Sequence, residues 1–355
     1  MRLHKIPLAP NCKKYQNNIK SMKLVKTADS TGHILCHDMT EIVPGKSKGT
    51  RFRRGHVIKP EDIPVLLDIG KEQLYVWETE QDTHGTSGML HEEDGVERLC
   101  LFCRGEHIRA APVREAKIEL FAEKAGLLKL DAEKIIALNR IDGIAIITAA
   151  NKKAVREGEK IAALKIIPLL IEEEKLKSAA GICGEEKPIN IIPYKRKKAA
   201  LVITGGEIFR KRIPDTGSEI IKKKLEAFGV ESAGTKILPD DAEEISAAIL
   251  ALIKSGVELV ICTGGMSVDP DDRTAQAIKK TGVRVISHGV PFLPGVMLLL
   301  AYYEKDGISV PVIGAPACVF YEKTTALDIL LPRLLADDPV SREELACLGI
   351  GGLDT

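Results

Sequence analysis

The sequence predicts an α/β protein: a C-terminal, mostly parallel sheet with helices on both faces, preceded by a β-rich α+β N-terminal region. Three observations carry this expectation. Residues 199–204 (AALVIT) and 259–263 (LVICT) are continuous aliphatic runs, as expected of strands buried on both faces. The segments between and after them show helical apolar spacing, and regular alternation of strand and helix implies parallel pairing through crossovers. Before residue 182 the apolar runs are shorter and broken by glycines, which suits strands joined by turns.

In chain order, residues 1–21 are polar and patternless and are expected to form a flexible extension, leaving Met1 or Met22 as the functional start. A β-rich domain is expected over 22–90. Its runs HILCHDMTEIVPG, RFRRGHVI, EDIPVLLDIG and QLYVWE are punctuated by Gly45, Gly49, Gly55 and Gly70, with one short helix over 61–68. A mixed α+β domain follows over 91–182, with helices at 92–104 and 132–138 and strand-like runs at 116–122, 143–149 and 160–170. Residues 183–198 contain Gly184, Pro188, Pro193 and the run Lys195-Arg196-Lys197-Lys198, and read as a solvated linker.

The α/β domain is expected over 199–340. A helix over 217–228 places Ile221, Leu225 and Phe228 on one face, and Gly229 stops it. A second, over 240–254, has Asp240 and Glu243 as a capping box and a stripe of Ile245, Ala248, Ile249, Leu252 and Ile253. A third covers 272–280, and strands at 283–287 and 310–314 complete the series. Residues 341–355 are expected to be a tail.

Composition narrows the function. In 355 residues, 51 Lys and Arg nearly cancel 50 Asp and Glu, giving a net charge of +1, so coating nucleic acid or anionic lipid is excluded as the main task. Aromatic residues are 4% of the chain, with Trp77 as the single tryptophan, so the cores must be aliphatic and base-stacking platforms are not expected. The eight cysteines are scattered, no apolar leader precedes them, and the longest apolar run of the C-terminal half, 296–303, is too short to span a bilayer. The expectation is a reduced, cytoplasmic protein without membrane contact.

Ligands of open parallel sheets collect at the carboxyl ends of the strands. Here the two clearest strands end alike, in Thr204-Gly205-Gly206-Glu207 and Thr263-Gly264-Gly265-Met266-Ser267. A strand running into Gly-Gly lets backbone approach a ligand closely, and its free N–H groups favour anions. An ordinary pair of tight turns is the bland alternative, and the duplication argues against it. Asp269, Asp271 and Asp272 follow the second turn and Asp215 the first; carboxylates beside a phosphate-like site typically hold Mg²⁺. Helix capping explains one or two of them, not the group. The loops at 291–295 (PFLPG, with Pro294 and Gly295) and 314–318 (GAPAC, with Ala315 and Pro316) belong to the same face.

Together these motifs resemble the molybdopterin-binding domain shared by molybdopterin adenylyltransferases and molybdopterin molybdenumtransferases. The shared order is T-G-x-E-I, an Asp-Thr pair, Asp-Asp before a helix, T-G-G-M-S-V, then P-G and G-x-P. The resemblance covers 199–335 strongly, while 23–80 is similar to the start of a molybdenumtransferase-related subgroup. Ending at Thr355, the sequence has no residues for the C-terminal β-barrel of the full-length enzymes, so a shorter subgroup is expected.

The resemblance implies that molybdopterin, or its adenylylated form, binds at Thr204, Gly205, Gly206, Glu207, Thr216, Ser218, Thr263, Gly264, Gly265, Met266, Ser267, Pro294, Gly295, Ala315 and Pro316. It implies Mg²⁺ at Asp215, Asp269, Asp271 and Asp272, with Asp215 and Asp272 catalytic and molybdate as co-substrate. It further implies a homodimer and contacts with other cofactor-biosynthesis proteins. The pattern is incomplete: Gly206, Gly217, Asp269, Val296, Ala317 and Cys318 all depart from the family's usual residues, and Val296 replaces a lysine. The expected function is therefore Mg²⁺-dependent molybdate insertion, with a non-catalytic molybdopterin carrier or sensor and a nucleotide pyrophosphatase-like hydrolase as alternatives.

Weaker signals are read blandly. Cys100 and Cys103, with His91 and His107 nearby, lack a second pair and are expected to be structural thiols. His33, Cys36 and His37 are expected in a strand with surface histidines, and Arg51, Arg53, Arg54 and His56 on a solvated edge.

Overall fold

A computed structural model describes residues 22–43, 47–77, 88–266 and 273–353. In the N-terminal unit, β1 (Met22–Lys26), β2 (Ile34–Leu35) and a fifth strand, defined below, make one sheet, while β3 (Met39–Val43) and β4 (Ser47–Phe52) form a hairpin. Helix α1 (Asp62–Asp68) and β5 (Gln73–Trp77) follow, and β5 is the central strand, antiparallel to both β1 and β2. A small core of Leu35, Met39, Ile58, Leu66, Leu74 and Val76 holds the unit together.

The middle unit begins earlier than expected. Strand β6 (Met89–His91) leads straight into α2 (Glu92–Cys103), followed by β7 (Ile108–Ala110), β8 (Lys117–Ala122), β9 (Gly126–Leu130), α3 (Ala132–Asn139), β10 (Ile144–Thr148) and β11 (Ala154–Val155). Then come β12 (Lys160–Ile166), β13 (Leu170–Glu172), α4 (Glu173–Cys183) and β14 (Ile189–Pro193). Because β6 pairs with β13, residues 89–91 belong to this unit rather than to the N-terminal one.

The expected linker at 183–198 is corrected in two ways. Residues 189–193 are strand β14, antiparallel to β9, since Ile189 and Ile191 are needed in the middle core. The basic run after it is not simply solvated. Arg196 donates to the carbonyls of Leu334 and Glu258, each at 3.0 Å, and pairs with Asp337 at 2.7 Å.

In the C-terminal domain, β15 (Lys198–Thr204), α5 (Gly206–Phe209), α6 (Gly217–Glu226), β16 (Glu231–Leu238), α7 (Ala242–Lys254) and β17 (Leu259–Thr263) come first. They are followed by α8 (Thr274–Lys280), β18 (Arg284–His288), β19 (Leu299–Lys305), β20 (Ile308–Ala315), α9 (Ala326–Leu335) and α10 (Arg342–Cys347). The six strands form one sheet in the order β16-β15-β17-β20-β19-β18. Its β16-β15-β17-β20 portion is parallel, and β19 runs antiparallel to both β20 and β18.

Strand alternation divides the side chains between the two faces. Leu201, Ile203, Leu259 and Ile261 pack with Ile221 and Leu225 of α6 and with Leu327 and Leu331 of α9. Ala200, Val202, Val260 and Cys262 pack with Ile245 and Ile249 of α7 and Ile278 of α8. The expected double-sided helical cover is present. The expected tail is corrected: α10 begins with a Ser341/Glu344 capping box and buries Leu345 in the same core as α9. Among the described residues, no helix is long and apolar enough to cross a membrane.

Candidate functional site

Strand register gathers the expected loops along one edge of the sheet. Ile203 lies beside Thr263, Thr263 beside Ala315, and Gly314 beside Leu299, so the carboxyl ends of β15, β17 and β20 are level. Since β19 is antiparallel, its beginning falls at this edge too, and so do Pro294 and Gly295 just before it. All four loops therefore share the edge.

Each glycine turn has a local cause. Gly205 (φ 136°), Gly264 (φ 91°) and Gly265 (φ 51°) hold backbone that side chains disfavour, and a Cβ on Gly264 would overlap the Thr204 carbonyl. The backbone N–H of Gly206 donates to Asp240 Oδ2 at 2.9 Å, tying the first turn to the end of β16. This corrects the expected capping box: Asp241, not Asp240, caps α7, its Oδ1 accepting from the N–H groups of Glu243 (2.9 Å) and Glu244 (3.0 Å). Asp240 serves the first glycine turn instead.

The two strand-end threonines are turned inward. Thr204 is buried and its Oγ1 meets Thr274 Oγ1 at 2.8 Å, while Thr263 Oγ1 is buried without a hydrogen-bond partner. Met266, Gly295, Ala315 and Ser218 are also buried. Met266 packs against Gly314, and Gly295 backs onto Ala326. Gly205, Gly206, Gly264, Gly265, Asp215, Pro294 and Pro316 are half-exposed, and Glu207 and Thr216 are exposed. Asp215 Oδ1 accepts from the Ser218 N–H at 3.0 Å, fastening the start of α6. Ser267, Asp269, Asp271 and Asp272 lie outside the described residues.

Next to the first turn opens a groove of about 810 Å³, within the usual range for small-molecule sites. Its walls are polar: Gly206, Glu207 and Asp240 face Arg210, Arg212 and Arg273. The arginines and Asp240 were not anticipated as site residues. The Arg210-Lys211-Arg212 run just after a glycine turn was the available signal for two of them. Among the described residues, no group of three or more His, Cys, Asp or Glu side chains converges in a way that could hold a metal.

Residues 200–336 match the family model of a probable molybdopterin binding domain. Residues 24–78 match a domain of unknown function. The molybdopterin-binding family match is accompanied by similarity to a molybdopterin molybdenumtransferase of Synechococcus elongatus, 26% identical over 179 residues, which are 48% of this chain and 44% of the relative. A CinA-like protein of Mycobacterium avium is 31% identical over 83 residues, 23% of this chain and 19% of that one. The chain thus spans less than half the length of these curated relatives. Among solved structures, the tungsten cofactor synthesizing protein MoaB of Pyrococcus furiosus aligns with a TM-score of 0.32 at 21% identity, covering 39% of this chain and 93% of that one.

The weaker sequence signals resolve within the cores. Cys100 and Cys103 are buried in the middle unit, where Cys103 Sγ lies 4.0 Å from Cys183 Sγ. The His91 ring makes a 2.8 Å contact between Nε2 and the Cys36 carbonyl and accepts from the Glu93 N–H through Nδ1. Burial, helped by the Arg54 charge, pushes its pKa down to about 4. The expected strand around His33 and His37 is only Ile34–Leu35, and Cys36 is buried. Arg54 departs from the solvated edge: it pairs with Glu93 at 2.7 Å and joins the first two units.

Proposed function

We propose that the protein acts in molybdenum cofactor biosynthesis, binding molybdopterin or its adenylylated form at the loops after Thr204 and Thr263 and promoting Mg²⁺-dependent molybdate insertion. What carries the reading is the pair of glycine turns on adjacent parallel strands, the first of them opening on a groove, inside the segment that matches the family. The turns bring backbone within reach of a phosphorylated ligand, and the groove walls orient it. Insertion then needs positioning and charge stabilisation rather than a nucleophile. The acidic side chains Asp215, Asp269, Asp271 and Asp272 are the proposed holders of Mg²⁺, Asp215 and Asp272 being the ones on which insertion depends.

A non-catalytic carrier is the second reading. It is favoured by Asp215, whose Oδ1 is already engaged by the Ser218 N–H. Purification from a molybdopterin-producing host, with mass spectrometry of bound pterin and metal, tests binding. An insertion assay on Asp215→Asn and Asp272→Asn then separates the readings. Asparagine keeps an acceptor for the Ser218 N–H while removing the charge. Loss of Mg²⁺- and molybdate-dependent turnover with retained fold supports insertion; bound pterin with no turnover in the wild type selects the carrier; absence of pterin overturns both.

A further inference from the structure

The groove carries charges that neither the glycine turns nor the acidic residues account for. Its carboxylates are largely committed within the protein. Asp240 accepts from the Gly206 N–H, Asp241 caps α7, and Glu243 pairs with Lys280. Its arginines are not. Arg210, Arg212 and Arg273 line the groove, and among the described residues none of their guanidinium groups has a carboxylate partner or a hydrogen bond. Glu207 is the groove carboxylate left without such a partner among the described residues, against three guanidinium groups, so donors are in excess.

Arg210 is also specifically placed. A Cβ on Gly206 would lie 2.9 Å from its Nη1, so the guanidinium folds back over the first glycine turn. A side chain at position 206 would have to displace it. Planar guanidinium groups present paired N–H donors that match phosphate oxygens, and several around one cavity favour a ligand with more than one phosphate charge.

We infer that Arg210, Arg212 and Arg273 form an anion clamp that holds phosphate oxygens of the ligand beside the first glycine turn and sets the site's preference for a diphosphate over a monophosphate. The clamp rests on the groove being the ligand site, as in the proposed function, but not on the ligand being a pterin. The three residues are specificity-determining and leave the turn itself intact.

The test titrates the full chain calorimetrically with inorganic pyrophosphate and with inorganic phosphate, without added metal. Wild type should bind pyrophosphate at least about tenfold more tightly than phosphate, and Arg210→Gln/Arg212→Gln/Arg273→Gln should abolish that preference. Lys254→Gln, an exposed cation removed from the groove, should leave it unchanged. Unfolding curves check the triple variant; if it is destabilised, Arg212→Gln alone should lose at least about threefold in pyrophosphate affinity. Equal binding of both anions by wild type, unaltered preference in the variants, or an equal loss in Lys254→Gln overturns the clamp. Pyrophosphate preference in a protein that carries no pterin sinks the molybdopterin reading and keeps the clamp. Bound pterin without the preference does the reverse.

Discussion

Gly264 sits hard against the end of the neighbouring strand β15. Its φ of 91° and the Thr204 carbonyl against its missing side chain mean that alanine would add both backbone strain and overlap. Gly264→Ala is expected to cost at least about 2 kcal/mol in urea unfolding and to remove pterin binding. A wild-type midpoint would contradict this. Gly217 is constrained differently. Its φ is not left-handed, but an added Cβ would lie 2.6 Å from the Phe320 ring. This explains a departure from the family's asparagine: a large aromatic ring fills the space instead. Gly217→Ala should lose about 1–3 kcal/mol, and Phe320→Leu should restore much of it in the double variant. The Thr204–Thr274 hydroxyl pair has a more modest part. Thr274→Val leaves Thr204 Oγ1 with only its long 3.5 Å bond to the Thr263 carbonyl and should lower stability by about 1–2 kcal/mol, read from the same denaturation curves.

Elements differ in how openly the sequence announced them, and burial explains most of the difference. β15 and β17 lie inside the sheet with both faces covered, so they are aliphatic throughout and were legible as strands. β16 is an edge strand with largely exposed residues, ESAGTKIL, and nothing in that composition distinguishes it from a loop. α9 escaped notice for the opposite reason. It is buried on nearly every side and contains Pro332, so it shows neither a polar face nor an unbroken helical run. The glycine turns were plain in sequence because glycine marks unusual backbone. The arginine wall was not, since Arg273 reaches it only through the fold.

The last helix is held by charge as well as by apolar packing. Arg333 is buried and bonds Asp338 at 2.7 Å and Glu344 at 3.1 Å, and Lys152 of the middle unit joins Glu344. Partial burial works to raise the Glu344 carboxyl. Hydrogen bonds from Lys152, the Ser341 N–H and Arg333 outweigh it and hold the group at about 2, below its ordinary 4.5. A depressed carboxyl stabilises the fold above its unfolded value and loses that contribution as pH falls through the folded one. Stability should therefore decline between pH 4.5 and about 2 as this group protonates. Glu344→Gln should flatten that part of the decline while lowering stability at pH 7, as followed by circular dichroism during acid titration.

At the scale of the whole molecule, the middle and C-terminal units share a core. Leu127 and Tyr194 of the middle region pack with Ala199, Leu201 and Leu225, and the Tyr194 hydroxyl donates to the Gly126 carbonyl at 2.9 Å. Tyr194 also meets Phe228 edge to face. Calorimetry should show these two units melting in one transition. Tyr194→Ala, which opens a cavity and breaks the hydrogen bond, should cost about 3–5 kcal/mol or split the transition in two. The sequence placed a boundary here because proline and lysine signal solvent. It could not show that the intervening tyrosine and arginine are anchored on both sides.

The N–H of Thr274 donates to the Gly265 carbonyl at 3.3 Å, and the Thr274 hydroxyl is fastened to Thr204. Gly265 at the second turn and Thr274 at the start of α8 are thus fastened to each other and to the end of β15, a clasp made of backbone and hydroxyl groups. No charge takes part in it, so neither pH nor salt should loosen the join between the two turns.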